Sequence, residues 1–525
     1  MSKPLLLQNQ YSAGMKRDYP RNRMPQNSAW TLKDIVLEYG APARERGGWA
    51  NASASVSAAS GTASYIKGGI YAIFSPTAGA VAKNLALDED GVLYCFQSSA
   101  VTAGSAVTAV GAARTVVQNP VFHGGAAASA ATAVYTGLVI IPDGTGAAVP
   151  KKYDGTTLSD LGGSPPAAKY AAVYRDYTVL ANGTVSSIQY PNRIWFSPAG
   201  DPDCFGTAGV TAWDTTDSWI DFTVPVRGLA STKNALLVFG DGRISRVRGS
   251  VPPPDTDMVV DDPWQELGLM DPFSIITHED IVYWCAPEGV FRSDGVYLDN
   301  LTAKGGMLRY WLDMADGADS GYTFATGILR NKLIITILDG AGGGSFIDGF
   351  MVDLNTYSWT QVSNLQATSF WGGVRVNTVN DDLFFGRRDA AYVGRCEPMF
   401  GEVGDINYKN DGDGDAVTSV VETPFYELGR PGIKTVKGIH VGYNLVDFAT
   451  DNPTIAVDYI ATPEATSYTS LGTLSENATY DRRRLQLGGR FWGIGLKFTR
   501  ANAGDFMGYD ISAEVGYQEE SKRKS

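Results

Sequence analysis

The feature that most constrains this fold is a run of short apolar strands, punctuated by turns, between about residues 61 and 410. Three to five apolar residues meet an Asp-Gly, Asn-Gly or other glycine-containing turn, and a second apolar strand often follows. The clearest copies are 85–87 with Asp90-Gly91, 236–239 with Asp241-Gly242, 281–284 with Glu288-Gly289 and Asp294-Gly295, and 333–337 with Asp339-Gly340. Weaker copies are 138–141 with Asp143-Gly144, 177–180 with Asn182-Gly183, and 383–385 before Gly386. Asp-Gly and Asn-Gly between apolar runs signal a hairpin because a type I′ turn needs φ > 0 at both central residues.

Taking one anchor per copy gives residues 85, 138, 177, 236, 282, 333 and 383, a mean interval of about 50. A four-stranded propeller blade occupies roughly 40 to 50 residues. One blade cannot bury both its faces, so blades must stack around an axis and close. The pattern predicts a mainly β chain with a β-propeller of six or seven blades over 61–410. A pair of β-sandwiches is the alternative, because the intervals run unevenly from 39 to 59.

The flanks differ in character. Residues 1–60 carry eight basic and four acidic residues, a net +4, and are broken by Pro4, Pro20, Pro25 and Pro42. They read as an N-terminal arm, either solvated or docked on an acidic neighbour, with Gly47-Gly48-Trp49 leading into the folded body. The chain as a whole carries −13, which leaves −17 outside the arm and argues against a general nucleic-acid binder. Residues 401–415 read as a linker. Beyond them, apolar runs at 439–443, 454–460, 484–486, 491–498 and 511–517 predict a C-terminal β-sandwich-like domain over 411–518. The tail, 519–525, reads as disordered. The N-terminus is too short and polar for a signal peptide, and the uncharged stretch after Arg114 holds too many polar and glycine residues for a membrane span.

Chemistry is sparse. Cys95, Cys204, Cys285 and Cys396 are widely spaced and read as free thiols. His123, His278 and His440 have no metal-ligand spacing, and neither a Walker loop nor G-x-S-x-G occurs. Asp411, Asp413, Asp415 and Glu422 fall at positions one, three, five and twelve of a calcium loop. The sixth position, which needs glycine, is Ala416, and the following run reads as strand. A solvated acidic turn is therefore the favoured reading and a calcium site the weaker one. The acidic pairs Asp261-Asp262 and Asp381-Asp382 would point to opposite faces of a strand, so neither is a ready acid/base couple. The expectation from these observations is a non-enzyme without a cofactor. Arg44, Arg46, Arg482, Arg483 and Arg484 are the candidate interaction residues.

One stretch carries a resemblance. Asn192-Arg193-Ile194-Trp195-Phe196-Ser197 followed by Gly200-Asp201-Pro202 resembles a segment of the nozzle, tail-tubular or tail-stabilisation proteins of short-tailed bacteriophages, which are built around a β-propeller. The run 40–49 with its Gly-Gly-Trp, and 482–494 with its arginine triplet, resemble other parts of those proteins. The resemblance implies a structural virion protein, assembled in the host cytoplasm. Its copies would form a homo-oligomeric ring, a hexamer, below the portal and adaptor. Genomic DNA would pass through without specific binding during ejection, past acidic walls that do not hold phosphate. Asn192, Arg193, Trp195, Gly200, Asp201 and Pro202 mark the kinship, in a loop expected to connect blades. Arg193 and Trp195 share a strand face and are expected to form a cation–π pair. A carbohydrate- or receptor-binding propeller is the alternative, and a propeller glycosidase a second one.

Overall fold

Alternating apolar residues on short strands need a partner on each face, and here they find it by stacking sheets around an axis. The computed structural model describes residues 3–517 apart from 9–10, 38–42, 54–64, 75–80, 97–106, 125–136, 205–210, 318–320, 341–345, 375–380, 397–398, 400–416, 429–433, 447–453, 476 and 501–504. Seven antiparallel four-stranded units form the blades of a β-propeller. Their innermost strands are Ile66–Phe74, Val121–His123, Ala167–Tyr174, Val226–Ser231, Ile276–His278, Tyr322–Leu329 and Ala367–Val374. Each touches the next, and the seventh touches the first, so the ring is closed. All seven anchors of the sequence repeat lie in second strands: Val81–Asp88, Leu138–Ile141, Tyr177–Val185, Leu236–Gly240, Ile281–Ala286, Lys332–Asp339 and Asp381–Arg387.

Turn chemistry departs from the expected pairs in places. Asn182-Gly183 lies inside a strand, and the hairpin there turns at Ser186 and Ser187, with φ of 49° and 67°. Two innermost hairpins turn on Glu279-Asp280 and Arg330-Asn331, all four residues at positive φ. The I′ requirement is met without glycine, at a local strain that the flanking ladders offset.

Residues expected as an arm, solvated or docked on a neighbour, supply strands to the body. Ala50–Asn51 pairs with Val393–Arg395 and completes the seventh blade, so the start of the chain closes the ring that its later part opens. Trp49 packs edge-on against Phe385 at 5.4 Å, lies under the Arg387 guanidinium at 4.5 Å, and donates to the Asn364 carbonyl at 3.0 Å. Thr31–Lys33 sits between the outermost strand of the sixth blade, Trp359–Gln361, and the C-terminal strand Ser419–Glu422. The sheet continues through Gly495–Arg500, Thr454–Ile460 and Thr469–Ser475, nine strands in all. A second sheet runs Lys3–Gln8, Asp505–Tyr517, Lys434–Val446 and Asn477–Phe491. Val436, Ile439, Val441 and Tyr443 of that sheet share one core with Ile455, Val457, Leu496 and Phe498, making a β-sandwich. The same core takes in Leu333, Ile335, Phe350 and Trp359 of the sixth blade. Propeller and sandwich are thus joined by a common sheet and a common core. At about 1.5–3 kcal/mol per fully buried large apolar side chain, that shared core is a strong restraint on their separation.

Buried charge locks the arm in place. The Arg46 guanidinium meets the Asp34 carboxylate at 2.7 Å with both side chains fully buried. Asp34 also accepts from the Ser363 amide at 2.8 Å, and Arg46 donates to the Ser363 carbonyl at 2.8 Å. Ser363 lies on the crossing from the sixth to the seventh blade, so the pair clamps that crossing. Glu45 and Arg500, also buried, meet at 3.1 Å and tie the arm to the sandwich.

Candidate functional site

Seven innermost strands converge on an axis, and side chains fill it. The Gln118 amide donates to the carbonyls of Ala171 at 3.3 Å and Leu229 at 3.1 Å. The Asn119 amide donates to Phe370 O at 2.7 Å and its oxygen accepts from Gly69 N at 3.2 Å. Two consecutive residues thereby bridge the innermost strands of the first, third, fourth and seventh blades. Phe273 packs beside them, and a Cβ on Gly68 would lie 3.7 Å from its ring. The axis is a packed polar plug at this level.

Above the plug, toward the end of the ring where the innermost strands begin, titratable residues from separate blades gather. Lys67 comes from the first blade, Tyr170 from the third, Arg227 from the fourth, and Asp271 from the segment entering the fifth. The Asp271 carboxylate accepts from the amides of Phe273 at 2.8 Å and Phe324 at 3.4 Å. Burial pushes its pKa up to about 6, against the opposing pull of those amides, Arg227 and Lys67. Burial lowers the Lys67 pKa, opposed by Asp271, and raises Tyr170 to about 12, opposed by Arg227. Arg227 also pairs with Asp241 at 2.8 Å; both are well exposed, so that contact contributes little. A carboxyl that titrates near neutrality between two cations can hold or pass a proton and can orient a polar ligand. Sequence reasoning missed these four residues. They come from separate blades more than forty residues apart in the chain, and only the closed ring brings them to one end of the axis.

A second feature lies between the arm and the helix Leu308–Gly317. It is a cleft of about 450 Å³ with Tyr19, Trp30 and Tyr310 as its aromatic wall and Arg17, Asp18, Arg309 and Asp313 as its charged groups. The Arg17 guanidinium stacks at 4.5 Å on Trp30 and 5.4 Å on Tyr310, and donates to Thr31 Oγ1 at 3.0 Å. The Asp18 carboxylate caps the helix, accepting from the amides of Leu308 at 3.2 Å and Arg309 at 2.8 Å.

The residues singled out in the sequence are scattered. Arg46 is internal, as described above. Arg44 pairs in a short ladder with Val36. Arg482, Arg483 and Arg484 lie on Asn477–Phe491, an edge strand, opposite Gly442, Val441 and His440; the side chains of Arg483 and Arg484 are exposed. Of the calcium-loop residues, Asp411, Asp413 and Asp415 lie outside the described residues. Glu422 is occupied by Thr31 at 3.0 Å, Lys497 at 3.6 Å and Arg21 at 3.9 Å. Asp261 is held by Arg246 at 2.7 Å, while Asp262 accepts from Ser245 at 2.7 Å and Thr223 N at 2.9 Å, so the two carboxylates engage different partners.

The stretch around Trp195 is corrected in one respect. It does not connect blades: residues 197–218 join the third and fourth strands of the third blade, Ile188–Phe196 and Trp219–Asp221. The loop instead latches onto the second blade, where Asp203 accepts from Lys152 Nζ and from Gly162 N at 2.5 Å. Gly200, at φ 65°, lets its amide reach Asp176 O at 2.7 Å. Asp201 is buried and accepts through its carbonyl from Cys204 N at 3.1 Å, and the Pro202 carbonyl accepts from Trp213 Nε1 at 2.8 Å. Asn192 donates to Phe222 O at 2.8 Å. The Arg193 guanidinium sits 6.0 Å from the buried Trp195 ring but closer to Tyr190, at 4.2 Å, and Trp219, at 3.5 Å. It is also bidentate to Asp221 at 2.6 and 2.7 Å.

No family model and no curated protein sequence matches the chain. Solved structures do. One is PorZ, an essential bacterial surface component of the type-IX secretion system of Porphyromonas gingivalis, at 10% identity and a TM-score of 0.33. The match covers 66% of this chain but only 38% of PorZ. An exo-β-1,3-galactanase from Phanerochaete chrysosporium matches at 9% identity and TM-score 0.23, over 84% of this chain and 98% of that one. A Trypanosoma rangeli sialidase in complex with the inhibitor DANA matches at 9% identity and TM-score 0.23, over 98% and 95%. These neighbours correct one expectation. Glycoside hydrolases and a sialidase are among them, so the expectation of a non-enzyme is withdrawn. The likeness assigns neither a substrate nor a catalytic residue to this chain.

Proposed function

We propose that the chain is a structural subunit of a short-tailed bacteriophage tail. Copies form a ring, a hexameric nozzle or hub, below the portal and adaptor. The observation that carries this reading is the nine-stranded sheet that runs from the sixth blade through the arm into the sandwich. A propeller and a sandwich that share one sheet and one core resist separation, as a ring subunit of a tail requires. The resemblance around Asn192–Pro202 and the net charge of −13 support it. Gln118, Asn119 and Phe273 fill the propeller's own axis at their level, so on this reading DNA passes through the space enclosed by the ring of subunits. Immuno-electron microscopy of particles from a phage carrying this chain tests the reading. Label at the tail supports it; particles free of both label and chain overturn it.

A second reading, a carbohydrate- or receptor-binding propeller, is favoured by the aromatic and charged cleft beside the helix Leu308–Gly317. Binding of the purified full chain to a glycan array tests it, and silence across neutral and acidic glycans overturns it.

A further inference from the structure

Resting on the carbohydrate-binding reading, we propose that the cleft between the arm and the helix Leu308–Gly317 binds a neutral oligosaccharide end of one or two pyranose rings. Its volume, about 450 Å³, falls within the range of small-ligand sites. Its walls match the chemistry of a sugar. A pyranose presents an apolar face of C–H groups and an equatorial rim of hydroxyls that both donate and accept. Tyr19, 46% exposed, offers the free aromatic face. Trp30 and Tyr310 form a rigid floor, because the Arg17 guanidinium already packs on both rings.

Hydroxyls also need both partners at the rim. Arg309 and Asp313 supply them four residues apart on one helix, hence on one face, as a donor fork and an acceptor pair. The charges select the ligand class. Arg17 and Arg309 are balanced by Asp18 and Asp313, so the cleft has no net charge to recognise an anion, and the exposed Asp313 carboxylate repels one. A purely apolar ligand would leave Arg309 and Asp313 desolvated without partners, which is costly. A neutral polyol ring with one apolar face satisfies every wall.

The arm creates this site: Tyr19 and Trp30 belong to it, and Tyr310 and Asp313 belong to the helix between the fifth and sixth blades. Asp18 fixes the relation of the two by capping that helix. Asp18 is therefore a positioning residue, and Tyr19 and Asp313 are contact residues.

The test uses the full chain on a glycan array of neutral and sialylated oligosaccharides, followed by calorimetric titration with lactose, maltose and cellobiose. Tyr19→Ala and Asp313→Asn alter exposed side chains, and thermal melting checks that they leave the fold intact. Tyr297→Ala, at a side chain 78% exposed on the fifth blade, is the control. The expected result is binding of neutral glycans, at least tenfold weaker in each cleft variant and unchanged in the control. Binding that survives both cleft variants overturns the site while leaving the carbohydrate reading standing. Binding confined to sialylated glycans overturns the neutral class. No glycan binding at all overturns both the site and the reading it rests on.

Discussion

Two arginine-bearing segments look alike as sequence and differ in the folded chain. Arg44 and Arg46 in the arm and Arg482–484 near the C-terminus are both short basic runs beside glycine and aromatic residues. Arg46 is fully buried against Asp34 and clamps the crossing between two blades. Arg483 and Arg484 stand exposed on an edge strand, where Arg484 donates to the Lys437 carbonyl at 3.4 Å. What separates them is burial: the Arg46 guanidinium is enclosed with its carboxylate and carbonyl partners, while Arg483 and Arg484 face solvent. A basic run is therefore a partner-binding surface only where its own chain leaves it uncovered.

Substitutions at four places test that contrast, from the largest expected effect to the smallest. Arg46→Ala leaves Asp34 buried and uncompensated, and should cost about 3–5 kcal/mol in denaturant unfolding. Arg46→Lys should recover only part of that loss, because the fork that spans Asp34 and Ser363 is gone. A loss below about 1 kcal/mol would break the comparison.

Asp271 is the counter-case, a buried carboxyl held by amides and distant cations rather than a close ion pair. Its folded pKa, about 6, lies above the ordinary value of 3.8. The stabilisation linked to its proton is thus fully present below about pH 4 and is lost as pH rises through about 6. Asp271→Asn should flatten stability across that window by about 2 kcal/mol, read from melts at pH 4 and pH 7. An unchanged profile would show that a nearby cation compensates it after all.

Arg193 is intermediate, paired with Asp221 and stacked on Trp219, yet partly exposed. Arg193→Ala should cost about 1 kcal/mol, with a loss of the same order for Asp221→Ala and little further loss in the double variant. Arg483→Ala and Arg484→Ala should each change stability by less than about 0.5 kcal/mol. If the ring reading holds, their effect appears in subunit association measured by light scattering rather than in the melt.

Much of the fold was legible. Each of the seven repeat anchors lies in a second strand, which in several blades is a continuous buried apolar run, as at Leu138–Ile141 and Leu236–Gly240. The uneven intervals reflect loop insertions such as 197–218. Less legible were the turns: Ser186-Ser187 and Arg330-Asn331 adopt positive φ without glycine, so no dipeptide announced them. The candidate sites were scarcely legible. Lys67, Tyr170, Arg227 and Asp271 sit on four different blades, and Tyr19 and Tyr310 are brought together only by an arm that crosses the whole chain.

The amino-acid order alone determined the strand content and the blade period, because each depends on neighbours a few residues apart, and composition alone set the acidic balance. The tertiary structure decided what lies far apart in the chain. It placed Ala50–Asn51 in the last blade, Thr31–Lys33 between propeller and sandwich, and Arg46 beside Ser363. Those pairings join residues hundreds of positions apart, and local propensity carries no information about which distant edge or carboxylate a strand or guanidinium will meet.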